Sequence, residues 1–143
     1  MLGLHIAVGL CLIALNGAAG LTGGIAWYRN QASIPFWYLL RAAQVSVFVQ
    51  ALLGGLLVVT GQEQDDGLHY LYGLLPLGVS FIAEGARADA AHREVAGVDY
   101  DALPTAEKET IALAIVRREM GIMAVSCAVI FFLGLRAAGT SGL

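Results

Sequence analysis

From Leu2 to Trp27 the chain runs without a formal charge in a continuous apolar segment, interrupted by His5 and Asn16. At about 1.5 Å of rise per residue, a helix of this length crosses the roughly 30 Å of hydrocarbon in a bilayer. Trp27 and Tyr28 then mark a membrane–water boundary that Arg29 closes. After a short connection, Asn30 to Pro35, a second aromatic cluster, Phe36-Trp37-Tyr38, is expected at the same boundary, with a second span over about 39–60. The polar stretch 61–67 is too short for anything but a turn, so the third span, about 68–84, is expected to return antiparallel to the second. Pro76 lies inside that third span, where its missing N–H and its ring are expected to kink or locally open the helix.

Past Glu84 the pattern changes. Most of the charge falls in 85–118, which is expected outside the hydrocarbon as a helical hairpin. Ala86 to Val95 is alanine-rich and a good helix former in water. Gly97 to Asp101 breaks it, and Pro104-Thr105 restarts a helix with Thr105 as N-cap and Glu107 and Glu109 in the favourable first turn. That helix is expected to continue into a fourth span over about 119–136. The fold class is therefore an all-α integral membrane protein: one domain over 1–143, a four-transmembrane-helix up-down bundle whose third and fourth spans extend into the hairpin.

Composition supports this reading. Hydrophobic residues make up 58% of the 143 and charged residues 13%, with a mean hydropathy of +0.73, against about 45–50% and 25% in globular domains. A net charge of −3 and no basic patch interleaved with aromatics exclude a nucleic-acid partner. Cys11 and Cys127 each sit in an apolar run and read as small hydrophobes, and the apolar amino-terminal stretch reads as a retained span rather than a signal peptide. Small residues recur four apart at Ala14/Ala18, Gly20/Gly24 and Ala51/Gly55, a spacing that lets helix backbones approach.

Orientation follows from the basic residues. Arg29, Arg41, Arg87, Arg93, Lys108, Arg117 and Arg118 fall on one side of the four spans, and only Arg136 falls on the other. The positive-inside rule then sets both termini outside a bacterial inner membrane and 85–118 in the cytoplasm.

Polar side chains within spans are where function is sought. Asn16 and Gln50, near mid-depth of spans one and two, are expected to hydrogen-bond as interhelical glue. Glu84, at the inner end of span three, is expected to pair with Arg117 and Arg118 of span four. His5 and His69 share a depth near the outer face, on helices that are diagonal in an up-down bundle, a geometry in which two imidazoles can ligate one haem iron. The plainer alternative makes each an interfacial histidine. Tyr70 and Tyr72 form a collar there, and a His69–Tyr72 hydroxyl–imidazole pair would suit a quinone carbonyl. Asp65, Asp66 and His69 offer a mixed carboxylate–imidazole metal site, with capping of span three as the plainer role of the acids. Met120 and Met123 read as packing residues.

No hydrolase triad, phosphate loop or zinc-protease motif is present, so no catalytic activity of its own is expected. The first functional reading is an accessory or structural subunit of a larger membrane complex, respiratory or electron-transferring, or a homo-oligomer. The second is a redox protein binding b-type haem or quinone through His5, His69, Tyr70 and Tyr72. The third is a small oligomeric transporter working through Asn16, Gln50 and Glu84.

Overall fold

Four long helices account for nearly all of the computed structural model, which describes residues 1–61 and 67–140. They are α1 (Leu2–Tyr28), α2 (Ile34–Val59), α3 (Gly67–Val95) and α4 (Thr105–Thr140), with a 3-10 turn at Tyr100–Ala102 before α4. Asn30, in the left-handed region at φ 55°, turns the chain after α1. The Ser33 hydroxyl accepts from the Phe36 N–H at 3.3 Å and Pro35 sits in the first turn, so α2 starts at Ile34, ahead of the expected Leu39. Phe36 is consequently a fully buried core residue instead of a boundary aromatic.

Helix α3 runs through Pro76 without interruption, and the Ser80 hydroxyl donates to the Pro76 carbonyl at 2.9 Å. It ends at Val95, and Gly97 takes the positive φ of 75° that reverses the chain. At the start of α4 the Pro104 carbonyl accepts from the N–H groups of Glu107 and Lys108. The first helical bonds thus close on Pro104, one residue earlier than the cap expected at Thr105.

Helix α4 packs along both α1 and α3, α1 also packs along α2, and α2 meets α3 and α4 more sparingly. Helices α1 and α3 are therefore diagonal. The register of α1 on α2 shows in three contacts. A Cβ on Gly23 would meet the Phe36 ring, one on Gly9 would meet the Gln50 amide, and one on Gly54 would meet the His5 ring. As many residues separate Gly23 from Gly9 as separate Phe36 from Gln50, which is the signature of an antiparallel pair in even register. Gly20 lies so near α4 that a Cβ there would stand 3.2 Å from the Ala128 backbone nitrogen. Gly24 and Gly55, by contrast, face open space. The close-approach face of α1 is thus Gly17, Gly20 and Gly23, and the expected Gly20/Gly24 and Ala51/Gly55 pairs are not its basis.

The interior is layered. Phe36, Leu40, Met120, Met123, Ala124 and Cys127 form one cluster, with Ala19, Ala26 and Ala83; Leu12, Val47 and Ile130 form the next. Outside, large apolar side chains face away from the protein: Leu21 and Phe132 each expose 67% of their surface, Phe81 68% and Ile82 75%. Helices α1, α2 and α4 are long and apolar enough to cross a membrane; α3 is not among them. His69, Tyr70, Tyr72, Pro76 and Ser80 dilute its apolar half, and its second half is charged.

Gly23→Ala puts a methyl group within 2.5 Å of the Phe36 ring. It is expected to destabilise the protein by about 1–3 kcal/mol through overpacking, whereas Gly24→Ala should be neutral or stabilising by up to about 1 kcal/mol through helix propensity. Thermal unfolding of the two variants in detergent, followed by circular dichroism, checks the difference.

Candidate functional site: a two-histidine cavity

At one end of the bundle the layered core gives way to a cavity of about 410 Å³ lined by all four helices. His5, Gly9, Gln50, Gly54, His69, Tyr70, Tyr72 and Pro76 contribute to its wall, and Gly134, Ala137 and Ala138 of α4 close it. Gly9, Gly54 and Gly134 let Gln50, His5 and Ile13 approach their backbones, and these side chains shape the wall. Pro76 adds a polar feature of its own, because a proline lacks the N–H that would bond the Tyr72 carbonyl one turn earlier.

The two imidazoles meet here, with ring centroids 6.1 Å apart and planes tilted by 58°. Each is held by one nitrogen. His69 Nδ1 lies 3.2 Å from the Ala137 carbonyl of α4, so Nδ1–H donates and Nε2 carries the lone pair. The Gln50 amide nitrogen of α2 lies 3.2 Å from His5 Nε2 and donates to it, which puts the His5 proton on Nδ1. Among the described residues, the buried side-chain atoms left without a partner are His5 Nδ1 and Gln50 Oε1, both at this spot. The orientation of the Gln50 amide sets the tautomer of His5: turned over from the arrangement seen here, its oxygen would accept from Nε2–H and leave Nδ1 a lone pair able to bind a metal.

Tyr70 meets the His69 ring edge-on at 6.3 Å. Tyr72 lies under the Arg136 guanidinium, whose carbon is 5.8 Å from the ring centroid. Its partner is therefore Arg136, and the expected hydroxyl–imidazole bond to His69 is not made. Asp65 and Asp66, expected as caps or metal ligands, lie outside the described residues. Among the described residues no group of three or more His, Cys, Asp or Glu is placed to hold a metal ion.

Asn16 and Gln50 do not pair. Gln50 is level with Gly9, and Asn16 lies seven residues further along α1, roughly two helical turns away. Buried Asn16 instead donates to the Leu12 carbonyl of its own helix at 2.9 Å.

The other end of the bundle is tied by charge. Glu84 accepts from Arg41 at 2.8 Å and Gln44 at 2.7 Å, both on α2, and from Arg87 at 2.9 Å, one turn along α3. Arg87 also reaches Glu119 of α4 at 3.3 Å. Burial by itself pulls the Arg87 pKa down, but its bonds to Glu84 and the charge of Glu119 outweigh that and hold it above its ordinary value. The expected partners Arg117 and Arg118 are elsewhere. Arg118 pairs with Glu94 at 2.6 Å, further out along the hairpin, and Arg117 lines a separate cavity of about 220 Å³ with Asn30 and Gln31. Arg87, on the same helix as Glu84, fills the place assigned to them.

Sequence reasoning missed three parts of these sites: Gln50 as the partner of His5, Arg41 as the partner of Glu84, and Arg136 beside Tyr72. The antiparallel register of α1 on α2 was the signal for the first, since it sets Gln50 and Gly54 opposite Gly9 and His5. Comparison of the chain with protein-family models, with curated proteins and with solved structures found no match.

Glu84→Ala removes the shared acceptor of Arg41, Gln44 and Arg87. Because these groups are partly exposed, the expected loss is on the order of 1 kcal/mol, and Glu84→Gln, which keeps an acceptor oxygen, should lose less. Chemical unfolding in mixed micelles reads both.

Proposed function

We propose that this chain is a small integral membrane haem protein that carries electrons, with His5 and His69 as the axial ligands of one b-type haem. The observation that carries the reading is the pair of imidazoles 6.1 Å apart in an open cavity. An imidazole nitrogen binds a metal at about 2.0–2.1 Å, so two rings facing each other across one ion have centroids about 6 Å apart. No third protein ligand stands near among the described residues. Two imidazoles do not complete a site for a bare ion of the usual four-ligand kind, whereas a tetrapyrrole supplies four nitrogens itself and asks only for axial ligands.

Other features agree. The cavity of about 410 Å³ is within the size of cofactor pockets, about 300–1,000 Å³, and it is mainly apolar, as such pockets are. The Nδ1 of His69 bonded to a backbone carbonyl is the arrangement that fixes the tautomer of a metal-binding histidine. His5 Nδ1, buried and without a hydrogen-bond partner, faces this space, and turning the Gln50 amide so that its oxygen accepts from His5 Nε2–H would free that nitrogen's lone pair for a metal. A subunit with a purely structural role has no use for this opening, which is why the redox reading is preferred to the accessory one. A carrier still needs a donor and an acceptor, so larger electron-transfer subunits or a second copy of the chain are its natural partners.

The setting is a bilayer crossed by all four helices. Phe81 and Ile82 face outward from α3 as Leu21 and Phe132 do from α1 and α4, which supports placing α3 in lipid beside the three more apolar helices. The basic residues set the 85–118 hairpin in the cytoplasm, both termini outside, and the haem near the outer face of a plasma membrane. Reporter fusions near Gly97 and at the carboxyl terminus are expected to read cytoplasm and exterior, respectively.

Protein purified in mild detergent from haem-sufficient cells, or reconstituted with haemin, is expected to show a six-coordinate low-spin spectrum with a sharp α-band on reduction. His5→Ala and His69→Ala should each abolish that low-spin form while leaving the helical content intact. A preparation that stays colourless after reconstitution would overturn the haem reading.

A further inference from the structure

Arg136 is the single basic residue on its side of the expected topology, and its guanidinium carbon lies 5.8 Å from the ring centroid of Tyr72. Tyr72, over whose ring it lies, is a wall residue of the cavity, as are Ala137 and Ala138, which follow it in α4. Ala137 is also the residue whose carbonyl holds His69. No carboxylate among the described residues pairs with Arg29, Arg117 or Arg136, whereas Arg41, Arg87, Arg93 and Arg118 each have an acidic partner, and of the three Arg136 is the one beside the two-histidine cavity. A guanidinium offers a planar fork of donors that matches a carboxylate. The tyrosine face beneath it adds a cation–π contact.

We propose that Arg136 receives the carboxylate groups of the ligand, so that the tetrapyrrole enters with its two propionates at the outer rim and its apolar edge toward Leu12 and Pro76. This rests on the haem reading above and adds to it the orientation of the ligand. Arg136 on the aqueous side meets the charged edge, His5 and His69 meet the iron, and the glycine-lined depth of the cavity takes the vinyl and methyl edge, which has no hydrogen bonds to offer. The cation next to the propionates also offsets their negative charge near the iron, favouring the reduced state.

The test compares haem with its dimethyl ester, in which both propionates are neutral, in the wild type and in Arg136→Gln and Arg136→Lys. For the wild type, the ester should bind about tenfold more weakly than haem, the size expected for one partly solvated charge-assisted contact. Arg136→Gln should bind haem about tenfold more weakly than the wild type does and should bind haem and ester alike, with a lowered midpoint potential. Arg136→Lys should keep most of the preference for haem, which guards against a change that merely loosens the fold.

If Arg136→Gln binds haem as tightly as the wild type and keeps the preference over the ester, the orientation is wrong while the haem site stands. If the variant weakens haem and ester equally, Arg136 serves a lipid phosphate or the fold, and the proposal again fails. A wild type that takes up neither compound overturns the haem reading and this orientation together.

Discussion

Helix α1 lies between α2 and α4, and it does so only because glycine occupies the faces it turns to them. A Cβ at Gly20 would press on the backbone of α4, and one at Gly23 would enter the ring of Phe36. In a bilayer the surrounding lipid is as apolar as the side chains, so helix association depends on close packing and not on the exclusion of water. The Gly17–Gly20–Gly23 face therefore does what a hydrophobic stripe does in a soluble bundle. It brings the backbones together, and every other contact inherits its register from that approach.

From that register the two ends of the bundle acquire opposite characters. Where Gly23 receives Phe36, the core is filled by Leu40, Met120, Met123 and Cys127, and just beyond it Glu84 gathers Arg41, Gln44 and Arg87. Where Gly9 and Gly54 face Gln50 and His5, small residues continue on α4 at Gly134, Ala137 and Ala138, Gly134 admitting Ile13, and together they line the cavity. One end is closed and cross-linked by charge, and the other is open with two imidazoles in it. The closed end supports the packed helices that carry both histidines, and side chains held on packed helices are placed more precisely than those on loops.

Much of this was legible in the sequence, and the parts that were not share a cause. The helices themselves were, as was the hairpin, since uncharged runs, Gly97 and Pro104 are local signals. The common depth of His5 and His69 was accessible too, because counting residues from a boundary fixes depth along a helix axis. Rotation about the axis is what counting leaves open. Asn16 and Gln50 were matched by depth alone, yet α1 and α2 meet with Gly9 opposite Gln50, so Asn16 is two turns away and bonds its own backbone. Glu84 was matched with Arg117 and Arg118 in the same way, and the rotation of α4 turns Arg118 toward Glu94 while Arg87 takes the place. Phe36 was assigned to a boundary by its type, but the Ser33 cap starts α2 early and carries the ring into the core.

What the sequence determined by itself is the helical class and the length of each apolar run, which agree with the requirement that backbone groups in hydrocarbon be bonded within their own segment. Only the tertiary structure decided that two histidines sixty-odd residues apart come within 6.1 Å, that Gln50 and the Ala137 carbonyl each hold one of them, and that Arg136 stands over Tyr72. Those meetings depend on how three helices are rotated against a fourth. That rotation is set by the sum of many small close contacts between glycines and the side chains they admit, and no single stretch of the chain contains it.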